Sequence, residues 1–133
     1  KKLVEGNNFY EYAKIFDNFY GTSKESVKKL HKENYDVVFD IDWQGTKQLS
    51  KFKELNLIKI FILPPDKNEL KKRLVNRNQD NNQTVEKRLQ QYENDIQHWS
   101  DYDYVVINND LESCFSQIEK IIESHSKEKM SFI

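Results

Sequence analysis

Three short stretches of this chain are almost wholly apolar and rich in β-branched and aromatic residues: "YDVVFDID" at 35–42, "LIKIFILPP" at 57–65 and "YDYVVIN" at 102–108. None alternates strictly between apolar and polar, which predicts strands buried on both faces, as in a parallel sheet. Helical periodicity fills the spaces around them. Thr22 followed by Glu25 is a capping-box signature for a helix through Leu30, and Asp66 followed by Glu69 does the same for "KNELKKRLVNR". Val85, Leu89, Tyr92, Ile96 and Trp99 are spaced by four, three, four and three, a single helix stripe. Leu111, Cys114, Phe115, Ile118, Ile121 and Ile122 form another behind an Asp110 cap, and both stripes read as core.

The resulting order is strand, helix, strand, long helical excursion, strand, helix. That is an α/β arrangement whose crossovers favour parallel pairing. The polar segment "NRNQDNNQT" at 76–84 interrupts it, and its flanking arginines and amide-rich composition predict a mobile loop between two helices.

At 133 residues the chain is the size of one domain, or of one compact piece of a larger one. With 37% apolar and 32% charged residues the core must be economical, but the regular apolar spacing argues against disorder. Lys plus Arg number 21 against 22 Asp plus Glu, so no net field draws the chain onto nucleic acid or an anionic membrane. No apolar stretch reaches bilayer length, no signal peptide precedes the folded pattern, and the lone Cys114 reads as a small buried residue in a reducing compartment. These features predict a cytoplasmic protein without a membrane partner. The chain opens Lys1-Lys2-Leu3 and its only methionine is Met130, which predicts a true beginning further upstream.

In an open parallel sheet, ligands bind beyond the carboxyl ends of the strands. Asp40 directly follows three apolar residues, the form of a strand-end acid that helps hold Mg2+ in phosphate-transferring proteins. Asp42, two residues on, points to the same side if the backbone is extended. Two carboxylates so placed repel unless a cation or donor meets them; alternatively, one or both cap a helix starting near Trp43-Gln44-Gly45. Arg73, Arg77 and Arg88 surround the polar loop, and arginine's planar, permanently charged fork suits phosphate. The interspersed Lys71, Lys72, Glu69, Glu86 and Lys87 fit a solvated helix face equally. In "FYEYAKIFDNFYGTS", Glu11, Tyr20, Thr22 and Ser23 could all contact a small polar ligand; otherwise Gly21 makes a turn and Thr22 a cap.

Taken in order, "FYEYAKIFDNFYGTS", "DVVFDIDWQGTKQL", "IFILPPDKNELKKRLVNR" and "YDYVVINNDLE" resemble the guanylate kinase family, of bacterial type, from about Phe9 to Ile122. The resemblance implies a P-loop nucleoside monophosphate kinase-like three-layer α/β fold with a parallel core sheet. It divides the chain into a remnant of the GMP-binding region at 1–23, core at 24–65, lid at 66–92 and core again at 93–133. It implies transfer of the ATP γ-phosphoryl to GMP with Mg2+ accompanying ATP. Glu11 and Asp42 resemble the carboxylates that read guanine, Tyr20 the tyrosine donating to the GMP phosphate, and Thr22 the hydroxyl beside the base. Asp40 resembles the acid near the metal and phosphates. Arg77 and Arg88, with Arg73 the weaker match, resemble the lid arginines on ATP, and Asn108 the residue at the adenine edge. The implied partners are GMP and ATP, and a homo-oligomer is compatible with the sequence. The scaffold modules that resemble guanylate kinase but bind phosphopeptides are the alternative; here the nucleotide-reading residues are present.

One departure is large. The three glycines, Gly6, Gly21 and Gly45, nowhere show the G-x-x-x-x-G-K-[ST] spacing of a phosphate-binding loop, and the family's upstream serine and arginines for the GMP phosphate are also missing. Without a nest of backbone N–H groups and a bridging lysine, the ATP phosphates lack their cradle. The 133-residue chain assayed alone is therefore expected to show negligible phosphoryl transfer. Turnover well above that of a Tyr20→Phe, Arg77→Ala control, prepared identically, would contradict this.

Overall fold

The computed structural model describes residues 8–15, 18–77 and 82–130. The chain divides between Leu57 and Ile58 into two compact units.

The first unit opens with an antiparallel hairpin, β1 (Phe9–Ile15) paired with β2 (Asn18–Ser23). Gly21 lies within β2 opposite Tyr12, with ordinary negative φ, so it is not the turn residue that the sequence suggested. Its missing side chain matters for packing instead: a Cβ there would lie 3.1 Å from the Phe9 ring and 3.3 Å from the Glu11 carbonyl oxygen. Helix α1 (Lys24–Lys32) follows. Its cap is Ser23 rather than Thr22: the Ser23 hydroxyl accepts from the Ser26 amide at 3.1 Å. The one-residue shift has a cause, because the Thr22 hydroxyl is already committed to Glu11. The helix ends on Asn34 in the left-handed conformation (φ 64°), with the Asn34 and Tyr35 amides donating back to His31 and Leu30. That is a Schellman-type stop with asparagine in the position glycine usually takes.

The stretch 35–42, expected as a doubly buried strand, joins no ladder among the described residues. A strand needs hydrogen-bonded neighbours, and the two described sheets pair β1 with β2 and the later strands with each other. Its residues do alternate. Val37, Phe39 and Ile41 pack on the core of Tyr10, Val27, Leu49 and Leu55, whereas Val38 on the opposite side is 85% exposed. Helix α2 (Trp43–Leu49) then packs against β1.

In the second unit, β3 (Ile60–Leu63) and β4 (Tyr104–Ile107) pair in parallel, as the sequence pattern predicts, though over fewer residues. Burial on both faces does not hold: with only two strands paired among the described residues, Ile62, Val105 and Ile107 are exposed. Between them run α3 (Lys67–Asn76), α4 (Asn82–Asp95) and a 3₁₀ turn (Ile96–Asp101). Asp66 caps α3 as expected, accepting from the Glu69 amide at 2.7 Å. Leu74, Val85 and Leu89 form a buried cluster joining α3 to α4, with Leu70 packed on it. The stripe continuing to Ile96 and Trp99 fails at its far end: the backbone tightens to three residues per turn, and Trp99 is left largely exposed. The loop predicted at 76–84 is shorter than expected, because Asn76 ends α3 and α4 begins at Asn82; residues 78–81 lie outside the described residues.

Helix α5 (Leu111–Met130) is capped by Asp110, which accepts from the Ser113 amide at 2.8 Å, and it packs on β4. Its apolar stripe is only partly core. Cys114 is buried and Ile118 and Ile121 half-buried, but Leu111, Phe115 and Ile122 are exposed, since a pair of short strands cannot cover the whole stripe. No described helix is long and apolar enough to cross a membrane.

Truncating Leu74 to alanine should remove part of a three-residue cluster that has little else to collapse onto. A loss of about 2–4 kcal/mol in stability is expected, to be read from urea denaturation. A loss no greater than that of an exposed control such as Val75→Ala would mean that the α3–α4 contact is not core.

Candidate functional site

The first unit gathers polar groups around one glycine. Glu11, in the middle of β1, is only 3% exposed and is the one charged side chain buried among the described residues. A buried carboxylate demands donors. One is supplied by the hairpin itself, where the Thr22 hydroxyl donates to Glu11 Oε1 at 2.7 Å. The other carboxylate oxygen faces α2: a Cβ on Gly45 would stand 3.0 Å from Glu11 Oε2.

Asp42 reaches the same glycine from the other side. It caps α2, with Oδ1 accepting from the Gly45 amide at 3.0 Å. Oδ2 is buried and meets no hydrogen-bond donor among the described residues. The two carboxylates, 31 positions apart in sequence, thus converge on Gly45. Each keeps one oxygen committed within the fold. Asp40 does not join them. It is exposed, on the solvent side of the alternating stretch, while Asp42 turns inward to cap the helix. Of the two roles that spacing allowed these aspartates, capping therefore falls to Asp42 alone. Tyr20 pairs with Ala13 along the hairpin, and its side chain lies outside the described residues.

Nearby Tyr10 has its phenol pushed above the ordinary value, chiefly by burial and then by the negative charge of Glu54. It therefore stays neutral at working pH and serves as a core ring, edge-on to Phe52 at 4.9 Å between centroids.

The second unit holds the basic candidates. Arg73 is anchored rather than free: Nε donates to Glu69 at 3.1 Å, and its two terminal nitrogens donate to the Asn108 and Asn109 carbonyls, each at 2.9 Å. This fork ties α3 to the segment after β4. Arg73, Arg77 and Asn108 line one cleft of about 240 Å³ with Ile62, Pro64, Leu70 and Leu74. Arg77 caps the end of α3 with an exposed side chain, and Arg88 is half-buried on α4. Three of the four residues singled out for ATP therefore share a cleft, and Arg88 is not among those lining it.

Two contributors had no sequence signal strong enough to name them. Gly45 was visible only as a residue near a helix start. Gln48 carries no such signal, yet its side-chain amide makes two hydrogen bonds to the Tyr12 backbone. The clue lay in spacing, since Asp42, Gly45 and Gln48 fall three residues apart on one helix face.

A guanylate kinase family model matches residues 1–125. The guanylate kinase of Rickettsia prowazekii is 46% identical over 132 residues, covering 99% of this chain and 66% of its own length. That of Novosphingobium aromaticivorans is 42% identical over 122 residues, covering 92% of this chain and 55% of its own. The crystal structure of guanylate kinase from Anaplasma phagocytophilum matches with a TM-score of 0.75 at 27% identity, over 93% of this chain and 59% of that one. The chain thus spans between 55% and 66% of the length of these two curated relatives.

Replacing Thr22 by valine keeps the shape but removes the hydroxyl that donates to Glu11 Oε1. The expected cost is about 1–3 kcal/mol, measured by denaturant unfolding, with Thr22→Ser retaining most of the stability. Equal stability of Thr22→Val and the parent would show that this bond is not needed to bury Glu11.

Proposed function

The chain belongs to the guanylate kinase family, and on that premise we propose that it supplies the guanine-reading and ATP-side arginine portions of an ATP:GMP phosphotransferase. The observation that carries this reading is the convergence of Glu11 and Asp42 on Gly45. Guanine presents adjacent donors, N1–H and the 2-amino group, and ionised carboxylates are acceptor-only. The buried, unpartnered Oδ2 of Asp42 is an acceptor of the kind such a donor edge requires. Adenine has no donors at those positions, so AMP would leave both acceptors desolvated and unpaired. Thr22 orients Glu11 and stands beside the base, and Tyr20 donates to the GMP phosphate.

On the ATP side, Arg77 and Arg88 neutralise the phosphates during transfer. Asn108, on the cleft shared with Arg77, meets the adenine edge. Arg73 acts there chiefly by holding the cleft wall, since its fork is already occupied by two carbonyls. Phosphoryl transfer asks the protein for alignment and charge stabilisation more than for covalent chemistry. Among the described residues no cluster of three or more acidic, histidine or cysteine side chains could hold a metal by itself. The exposed carboxylate of Asp40 fits Mg2+ that is bound mainly by substrate phosphates and water, as that ion usually is. When bound, Mg2+ supplies neutralisation of phosphate charge, with Asp40 its protein-side carboxylate. The segments 66–92 and 1–23 take the lid and GMP-region roles in this reading.

Calorimetric titration of the chain with GMP and with AMP tests the base reading. Binding is expected to favour GMP, and Glu11→Gln and Asp42→Asn are each expected to weaken GMP by about tenfold or more while barely changing AMP. Equal binding of the two nucleotides, or variants indistinguishable from the parent, would remove the basis for this assignment.

A further inference from the structure

We propose that Gln48 is a positioning residue for base recognition: its side-chain amide locks α2 onto β1 and so sets the spacing between the Asp42 and Glu11 carboxylates. The inference rests on the guanine reading of those two residues and extends it to a residue that touches neither the base nor either carboxylate.

The geometry is a two-point clamp. The Tyr12 amide donates to Gln48 Oε1 at 2.9 Å, and Gln48 Nε2 donates to the Tyr12 carbonyl at 2.7 Å. Tyr12 faces Gly21 across the hairpin, but its own N–H and C=O turn away from β2 to the amide of Gln48. Gln48 thus occupies the place of a neighbouring strand, satisfying donor and acceptor of one residue at once. A primary amide holds donor and acceptor side by side in one plane, and asparagine, the other such side chain, is one methylene shorter.

Position makes the clamp relevant to recognition. Tyr12 is the residue next to Glu11, and Gln48 is three residues beyond Gly45 and six beyond Asp42. Glu11 and Asp42 come from separate segments, so nothing local fixes the distance between them. It is set by how α2 docks on β1, and the docking has two contacts near the carboxylates. One is the bare backbone of Gly45, since a Cβ there would stand 3.0 Å from Glu11 Oε2 and hold the helix off. The other is the Gln48 amide, which is directional and resists sliding or rotation of the helix along the strand. Contact alone limits approach; the clamp supplies register.

A purely structural role would lower stability and leave nucleotide preference alone, so the test reads preference. Gln48→Met keeps length and loses both hydrogen bonds; Gln48→Glu keeps the acceptor for the Tyr12 amide but sets a carboxylate against the Tyr12 carbonyl. GMP and AMP affinities are measured calorimetrically for the parent chain, both variants and Glu11→Gln, below every thermal transition. The expected result is that Gln48→Met weakens GMP by about tenfold and narrows the GMP-over-AMP ratio by a similar factor. Gln48→Glu should fall between, and hydrogen exchange at the Tyr12 amide should quicken in Gln48→Met. If the ratio survives in Gln48→Met within about twofold while Glu11→Gln loses it, Gln48 merely covers a strand edge and the inference is wrong. If Glu11→Gln keeps the ratio too, or the parent shows no preference, the guanine reading itself fails and takes this proposal with it. Should Gln48→Met not fold, Gln48→Glu is judged by the same ratio.

Discussion

The burial of one carboxylate governs the first unit. Glu11 lies at the seam between a hairpin and a helix that meet only through the fold. A carboxyl group there is tolerated only if its neighbours are arranged for it. That requirement explains several details that otherwise look unrelated. Thr22 gives up a helix cap to donate to Glu11, so the cap passes to Ser23. Asp42 caps α2 through the amide of Gly45, where an added Cβ would press on the other Glu11 oxygen. Even the approach of α2 to β1 is constrained at this point. The polar seam is thus a determinant of local architecture.

What could be read from the sequence was local. The caps at Asp66 and Asp110 need only their own helix's amides, and both are found where the spacing predicted. The parallel pairing of β3 with β4 followed from apolar runs separated by helices. The stretch 35–42 departs from its strand pattern for the opposite reason, because a strand is completed by neighbours that its own residues do not specify. Asp40 and Asp42 illustrate the same limit. Their spacing allowed either a shared side or a cap, and the turn into α2 separated them.

The candidate site was legible as a list of chemically apt residues, not as an arrangement. Arginine at Arg73 suggested a phosphate ligand, but its guanidinium is occupied by carbonyls 35 and 36 residues away. Side-chain to backbone contacts of that range leave no trace in periodicity. For Gln48, spacing places it on the helix face of Asp42 and Gly45 but does not name Tyr12 as its partner. Glycine is a usual turn residue, so the sequence leaves a turn at Gly21 open; in the structure it gives room to a ring and a carbonyl instead.

Gly21 and Gly45 bear on how this chain tolerates random mutation. A side chain at the first would press on the Glu11 carbonyl oxygen, and one at the second on its carboxylate, so Glu11 is bracketed by two positions where the smallest possible addition is felt. Any replacement of either glycine adds at least one carbon, whatever its charge or polarity. Genetic drift around this buried acid is therefore filtered by volume before it is filtered by chemistry. At these two codons even alanine requires a neighbouring atom to give way by a few tenths of an ångström.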